Sequence, residues 1–565
     1  MQTAWERYFS EEARNFDLAN LTSQRLSDLI DEAAQRFGPR PALTTILPNG
    51  AETTLSYAEL HRLATHFAAY LREVVGLKAG ETVALMTPNC IGFGVVSLGI
   101  AKAGCIGTNV NPLYTAPELE HQLTDSGAQV LVIADLFGDK ADRVAREVGL
   151  RQVVTLSLVD FFPPLKKAVM GFVLRRVRKV IPAMATPHVS LAQALAMGRR
   201  AAQRADVAAY VAGVQPTDTA LYQYTSGTTG RSKGAELSHL GIIGNAYQAH
   251  LMTESLIAED GETTLIALPL YHITAFSLIF IAGLRTGGHG ILVPSPRPPS
   301  NLKAALEKHR ITWFTGINTL FAALMAEPWF DRRYFEHLRF CGSGGAAQQT
   351  GVARNWQERT GVEISQGYGM TEISGVLTLN PPGDNRLGKV GIPVPGAEVK
   401  IVDDAGNALP SGTPGEVIAR SPTLMKGYLN RPEATAETLR DGWLHSGDIG
   451  VMDEDGFLEI VDRKKDMILV SGFNVSPGEI EDVISTVPGV VQVGVIGVPD
   501  EKSGEVPAAF VVRKDDGLSE EAIIAACRQS LTNYKIPRRI EFVDEVPITL
   551  SGKVLRRELR ARHLG

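Results

Sequence analysis

The stretch YTSGTTGRSKGAELSH, residues 224–239, sets the reading of the whole chain. Eight of its first ten residues are Gly, Ser, Thr or Lys, and they follow the apolar-rich Ala220, Leu221 and Tyr222, so a strand is expected to open into a loop. Gly227, Gly230 and Gly234 allow backbone N–H groups to turn inward, while Thr225, Ser226, Thr228, Thr229 and Lys233 add hydroxyls and a cation. Such a loop suits phosphate oxygens. It is not a Walker loop, because that motif needs Gly before its Lys and here Ser232 precedes Lys233.

The surrounding chain is long enough for more than one core. At 565 residues at least two domains are expected, the larger one subdivided. Hydrophobic content of 44%, charged content of 21% and a net charge of -6 describe an ordinary globular chain with no overall basic surface to draw nucleic acid. Cys90, Cys105, Cys341 and Cys527 are scattered, without a CxxC pair or a Cys/His cluster, which speaks against a disulfide framework or structural zinc and for a reducing cytoplasm. The start, MQTAWERYFSEEARNF, is acidic and lacks an apolar core, so no standard secretory signal is expected. The apolar run at 273–284 is too short to span a bilayer.

Upstream, Leu26, Leu29, Ile30, Ala33 and Phe37 recur at helical spacing, with Thr22 or Ser23 as N-cap and Gly38 as stop. TVALMT (82–87), the apolar run 91–106 and VLVIAD (130–135) alternate with helical patterns such as 116–126. That rhythm indicates βαβ units on a largely parallel sheet. In LKKAVMGFVLRRVRKVI (165–181) six residues are basic and none acidic. Leu165, Val169, Phe172, Val173, Val177 and Val180 share a helical arc opposite Lys167, Arg175, Arg178 and Lys179. Two fates suit it: packing of the apolar arc on its own domain, which is the ordinary outcome, or a seat on an anionic membrane.

TSGTTG followed by SKG resembles the phosphate-loop signature of the adenylate-forming ligases, the superfamily of acyl-CoA synthetases, luciferases and peptide-synthetase adenylation domains. NPLYTAPELEHQLTDSGAQVLV (111–132) is similar to the matching stretch of bacterial long-chain fatty acyl-CoA synthetases. SQGYGMTE (365–372), DGWLHSGDIG (441–450), DRKKD (462–466) and SGK (551–553) follow in the order that the superfamily keeps.

The resemblance implies an α/β fold. A large N-terminal domain, 1–463, would hold parallel-rich sheets with helices and a small β-rich subdomain, and a small mobile α+β domain, 464–565, would carry the SGK lysine. It also implies roles for named residues. Thr225, Ser226, Gly227, Thr228, Thr229, Gly230 and Lys233 would hold ATP phosphates, Tyr368 would stack on the adenine and Thr371 would touch the α-phosphate region, with Gly345, Ala346 and Gly369 also among the ATP- or AMP-binding residues. Asp448 and Arg463 would hold the ribose, Glu372 and Thr225 the Mg2+. Lys553, Glu372 and Thr225 would be catalytic. His272, Phe276 and Gly344 would meet the acid. Lys465 would be the hinge, with Gly472 and Phe473 along the path of coenzyme A.

Those residue types suit those tasks: a flat ring for a base, a hydroxyl for a phosphate, a hard carboxylate oxygen for a hard cation. ITWFTGINTLFAALM (311–325) and FCGSGGAAQ (340–348) contain no charged side chain, so the tail of the acid is expected to be neutral and apolar. The implied reaction joins a fatty acid to coenzyme A through an acyl-adenylate, at the expense of ATP. Two other readings stay open: a fatty acyl-AMP ligase or related adenylating enzyme with a hydroxy-acid or carrier-protein acceptor, and a non-catalytic acyl sensor. The short connection from Asp448 to Asp462 leaves no room for the insertion that resembles a brake on domain rotation in fatty acyl-AMP ligases, which favours coenzyme A. A cytoplasmic location with peripheral inner-membrane contact through 165–181 is consistent with all of this, and a homodimer is left open.

Overall fold

The computed structural model describes residues 3–225, 232–259, 261–463, 465–471, 473–500, 503–549 and 553–564. Its centre is two largely parallel sheets. The first orders its strands 189–190, 152–156, 128–134, 82–86, 106–109, 219–225 and 233–238, all parallel except the final pair. Strand Thr82–Met86 is buried at every position, as a strand covered on both faces must be. The apolar run after it divides into a helix, Ile91–Lys102, and a strand, Ile106–Asn109. Helix Ala116–Asp125 starts at a capping box formed by Thr115 and Glu118.

The second sheet runs 392–393, 378–379, 364–368, 340–343, 313–316, 263–266, 289–292, 41–46 and 52–56. From Thr263–Ile266 the chain goes first to one neighbour, His289–Leu292, and then crosses to the other, Trp313–Gly316. Such a reversal leaves a crevice at the carboxyl ends of the strands, where ligands bind in open α/β sheets.

Two smaller sheets complete the chain. An antiparallel one holds Glu398–Val402, Gly415–Arg420, Leu439–Arg440, Trp443–Met452 and Leu458–Arg463. The other holds Phe473–Val475, Ile468–Val470, Gly504–Arg513 and Val490–Asp500, with Arg539–Phe542 parallel to the third of these. One apolar core extends from Phe9 to Leu458 and a second begins at Ile468, so two separately packed bodies meet between Arg463, the last residue of the antiparallel sheet, and Ile468. Among the described residues, no helix is long and apolar enough to cross a membrane.

Two local expectations fail. The helix Leu26–Phe37 takes Arg25 as its N-cap with no side-chain capping bond. The hydroxyls of Thr22 and Ser23 donate instead to Glu32 inside the same helix, a competing carboxylate acceptor that a cap rule ignores. Helix Pro164–Phe172 with its wider turn Val173–Val177 buries no residue, so its apolar arc is not laid on its own domain.

Candidate functional site

Where the two parallel sheets end, the structure gathers side chains from every part of the chain. Tyr368 closes strand Ile364–Tyr368 and donates its hydroxyl to Asp448 at 2.5 Å. Enclosure by protein, and then the Asp448 charge, push that phenol well above its ordinary pKa. Asp448 is buried and lies opposite Arg463 on the neighbouring antiparallel strand, their side chains 3.3 Å apart. Gly369 follows Tyr368, and a Cβ there would lie 1.9 Å from the Gly375 carbonyl, so nothing larger than glycine fits. Gly344, Gly345 and Ala346 follow strand Phe340–Ser343, with Gly345 at φ 81°.

Thr225 ends its strand directly opposite Lys233 on the antiparallel partner, so the loop between them closes a hairpin. Ser226, Gly227, Thr228, Thr229 and Gly230 lie outside the described residues, as does Gly472. The Lys233 ammonium sits 5.0 Å over the Tyr428 ring, and the Tyr428 hydroxyl donates to Glu372 at 2.5 Å. One tyrosine thus bridges the phosphate-side lysine and the carboxylate expected to meet Mg2+. Glu372 sits with Thr371 in a single 3-10 turn, and its carbonyl accepts from Met425 N–H at 2.7 Å. Tyr428 itself is held by main-chain bonds between 426–429 and strand Lys233–Ser238. Sequence reasoning missed it, because no motif links a Lys-Gly-Tyr run to a Glu 56 positions earlier.

A cavity starts at Gly344, Gly345, Tyr368 and Gly369. It runs back along strands 340–343 and 313–316 between Phe340, Trp313 and Thr264 on one side and Ala249, His250, Leu278, Ile279 and Gly283 on the other. Burial, and then Arg285, drive the His250 pKa to about 4, so this wall carries a neutral imidazole. Glu262 also lines it, with its carboxylate 2.7 Å from Arg339. Phe276 does not line it. Its ring packs at 6.1 Å on Phe93 and 5.9 Å on Phe280, and the same helical segment offers Thr274, Leu278 and Ile279 to the cavity instead. His272 lies against Tyr271, ring centroids 4.8 Å apart, and burial followed by the charge of Lys553 lowers its pKa to about 4.

Lys553 enters from the second body. An isolated bridge between Ile548 and Val554 and two bonds between Thr549 and Lys553, at 2.7 and 3.0 Å, pin its backbone. Helix Arg556–Leu564 follows, and Arg556 donates to both oxygens of Glu481 at 2.9 Å and lies 3.9 Å from Asp462 beside the hinge. Lys553 is within electrostatic reach of Glu372, Asp448, Arg463 and His272. Its pKa is lowered, first by loss of water around it and then by Arg463, against the pull of Asp448 and Glu372. By its accessible surface the residue as a whole is exposed.

Lys465 occupies the bridge between the two bodies, its pKa lowered by desolvation and then by Arg463. Phe473 is exposed and stacks on Tyr534 at 4.9 Å. Taken together, three cations, two carboxylates and a stacking-sized phenol face one cleft, and a neutral cavity opens into it. That arrangement can hold a polyanion against a carboxylate whose tail is out of water.

Comparison with known proteins bears on the same residues. A family model described as AMP-binding enzyme matches 30–429, and one described as AMP-binding enzyme C-terminal domain matches 479–553. The long-chain-fatty-acid–CoA ligase of Escherichia coli O6:H1 is 42% identical over 540 residues, covering 95% of this chain and 94% of its own. That of Yersinia pestis is 40% identical over 564 residues, covering 99% and 98%. A solved structure of the anthranilate CoA ligase AuaEII with anthranoyl-AMP superposes with a TM-score of 0.84 at 27% identity, covering 97% of this chain and 99% of its own.

Proposed function

The chain belongs to the AMP-binding enzyme family, and from that premise we propose that it is an AMP-forming ligase joining a long-chain fatty acid to coenzyme A. The observation that carries the choice of acid is the cavity. Its walls hold one neutral imidazole and one ion-paired carboxylate among apolar and small residues, so it favours an uncharged tail, with each buried CH₂ worth about 0.8 kcal/mol.

In the first half-reaction the acid's carboxylate oxygen attacks the α-phosphorus of ATP. The bond to pyrophosphate breaks and acyl-AMP forms. Two anions must meet, and Lys233 and Lys553 offset their repulsion while Tyr368, Asp448 and Arg463 hold the nucleoside in line. His272, neutral through most of the pH range, offers a hydrogen bond without adding charge beside the acid. Glu372 and Thr225 supply hard oxygens of the kind Mg2+ takes, and the ion would add positive charge at the phosphates. In the second half-reaction the thiol of coenzyme A attacks the acyl carbonyl and AMP leaves. The second body would turn about Lys465, carrying Lys553 out and bringing 472–473 in. The residues that act are those of one cleft, and the partners are the fatty acid, ATP, coenzyme A and an anionic bilayer met through 165–181.

Pyrophosphate release measured over a panel of acids, with and without coenzyme A, tests this reading. Long-chain acids should give the highest kcat/KM, and AMP and thioester should accumulate in equal amounts. Preference for an aromatic or dicarboxylic acid, or turnover with no need of coenzyme A, would reject it.

A further inference from the structure

We infer that the arm made of helix Pro164–Phe172, the wider turn Val173–Val177 and the residues that follow to 180 is a bilayer-docking surface that seats this enzyme on anionic lipid with its ATP-binding edge toward the membrane. The inference rests on the fatty-acid reading only for naming lipid as the partner. Leu165 is 79% exposed, Phe172 61%, Val177 63%, Val169 55% and Val180 47%. No residue of Pro164–Val177 is buried, and the half-buried positions of the arm are Lys167, Met170, Gly171 and Leu174. The arm thus leans on the domain through one stripe and turns its apolar stripe to water. An ordered chain that exposes such a contiguous apolar strip needs something to cover it.

Charge names the cover. No Asp or Glu occurs between Asp160 and Asp206, whereas Lys166, Lys167, Arg175, Arg176, Arg178, Lys179, Arg199, Arg200 and Arg204 fall within that span. Lys167 pairs with Asp160 at 2.8 Å and Arg175 with Asp135 at 3.5 Å, which fixes the arm to the sheet. Among the described residues, Lys166, Arg176, Arg178 and Lys179 make no ion pair. Their stems can lie along the apolar strip while the charged ends rise to lipid phosphates. A second copy meeting it arm to arm would present the same cations and repel them, so an anionic headgroup layer fits this strip better than an isologous dimer.

Topology sets the orientation. The arm follows strand Gln152–Leu156 at its carboxyl end, and Thr225, at the mouth of the phosphate loop, ends another strand of the same sheet. Leu113, 61% exposed, lies past the end of a third strand, Ile106–Asn109, on that same edge. Docking by this edge holds the cleft near the source of an insoluble substrate.

Flotation of the full chain, without acid or ATP, on phosphatidylcholine vesicles containing about 30% phosphatidylglycerol reads the surface directly. The protein should float with anionic vesicles, stay below with pure phosphatidylcholine, and lose roughly tenfold in bound fraction when salt is raised to about 1 M, where the Debye length falls to about 3 Å. Val169→Glu/Phe172→Glu and, separately, Lys166→Glu/Arg178→Glu should abolish flotation, while pyrophosphate release with a short water-soluble acid stays at the wild-type rate. Failure of the wild-type chain to float, or flotation by both double variants, overturns the inference. So does concentration-dependent dimerisation that Val169→Glu/Phe172→Glu removes, because the strip would then be a protein interface. An inactive ligase that still floats would reject the proposed reaction and leave the docking surface standing.

Discussion

The cleft and the cavity that opens from it are built on opposite principles. The cavity is walled by one body, from strands 263–266, 313–316 and 340–343 and the helices facing them, and its chemistry is uniform and almost uncharged. The cleft is assembled from single residues of the first body and one lysine of the second, and nearly every group in it is charged or bonded to a charge. Specificity for the acid is therefore a packing property, fixed once the sheet folds. Catalytic power is a juxtaposition, present only while the second body holds its pose.

The harshest way to test that contrast is Lys553→Ala. Removing a single preorganised cation from the cleft should slow acyl-AMP formation about 10²- to 10³-fold, roughly 3 to 4 kcal/mol, with the ranking of acids unchanged. Thioester formation from supplied acyl-AMP should be nearly untouched. Quench-flow of the two half-reactions measures both, and equal losses would mean that Lys553 serves the fold and not the first step.

Acid attacks both regions at once. His239, His250, His272 and His289 each have their pKa lowered to about 4 from an ordinary 6.5, in every case with burial as the largest cause. The folded state therefore binds fewer protons than the unfolded one below pH 6.5. Their contribution is intact above that value and drains away as pH falls from 6.5 to 4. For a ring as dry as His239, 3% exposed, the loss approaches about 3 kcal/mol. Chemical denaturation at a series of pH values should show stability dropping through that window, and a flat profile would mean that the rings are wet.

Gly283→Leu probes the cavity alone. A Cβ on Gly283 meets no heavy atom within 4 Å, so a leucine has open room to occupy along the path of the acyl tail. Displacing about three methylenes of substrate should cost long acids roughly 2 to 3 kcal/mol in kcat/KM and short acids nothing. A uniform loss across chain lengths would place the acyl tail elsewhere.

How much of this could be read from the chain differs between the regions for the same reason. The cleft residues stand in short polar motifs, and polar groups at fixed spacing advertise themselves, so Lys233, Glu372, Asp448, Arg463 and Lys553 could be named before any coordinates and are found facing one space. The βαβ alternation was equally visible from its apolar rhythm. Cavity walls carry no such mark. In the segment 273–284 nearly every position is apolar, so periodicity cannot say which face is core and which is pocket, and Phe276 falls on the core side. The arm 164–180 fails differently: an apolar arc is legible, but whether anything covers it is a tertiary fact. Tyr428 escaped because its role depends on two strands meeting around it.

Tyr428→Phe gives the smallest and most discriminating effect. The substitution keeps the ring beneath the Lys233 ammonium and removes only the hydroxyl that donates to Glu372. Burial, followed by the charge of Glu372, raises that phenol far above its ordinary pKa, so it is a donor at every working pH. Without it Glu372 loses one orienting bond. A partner of a metal-binding carboxylate is worth about tenfold in ion affinity at the low end. The Mg2+ concentration for half-maximal pyrophosphate release should rise about tenfold at saturating ATP. The ratio of kcat/KM between long and short acids should not move, because nothing in the cavity has changed. A shifted chain-length ratio would show that the two regions are mechanically coupled. An unchanged Mg2+ requirement would show that Glu372 is aimed by the turn Thr371–Ile373 alone.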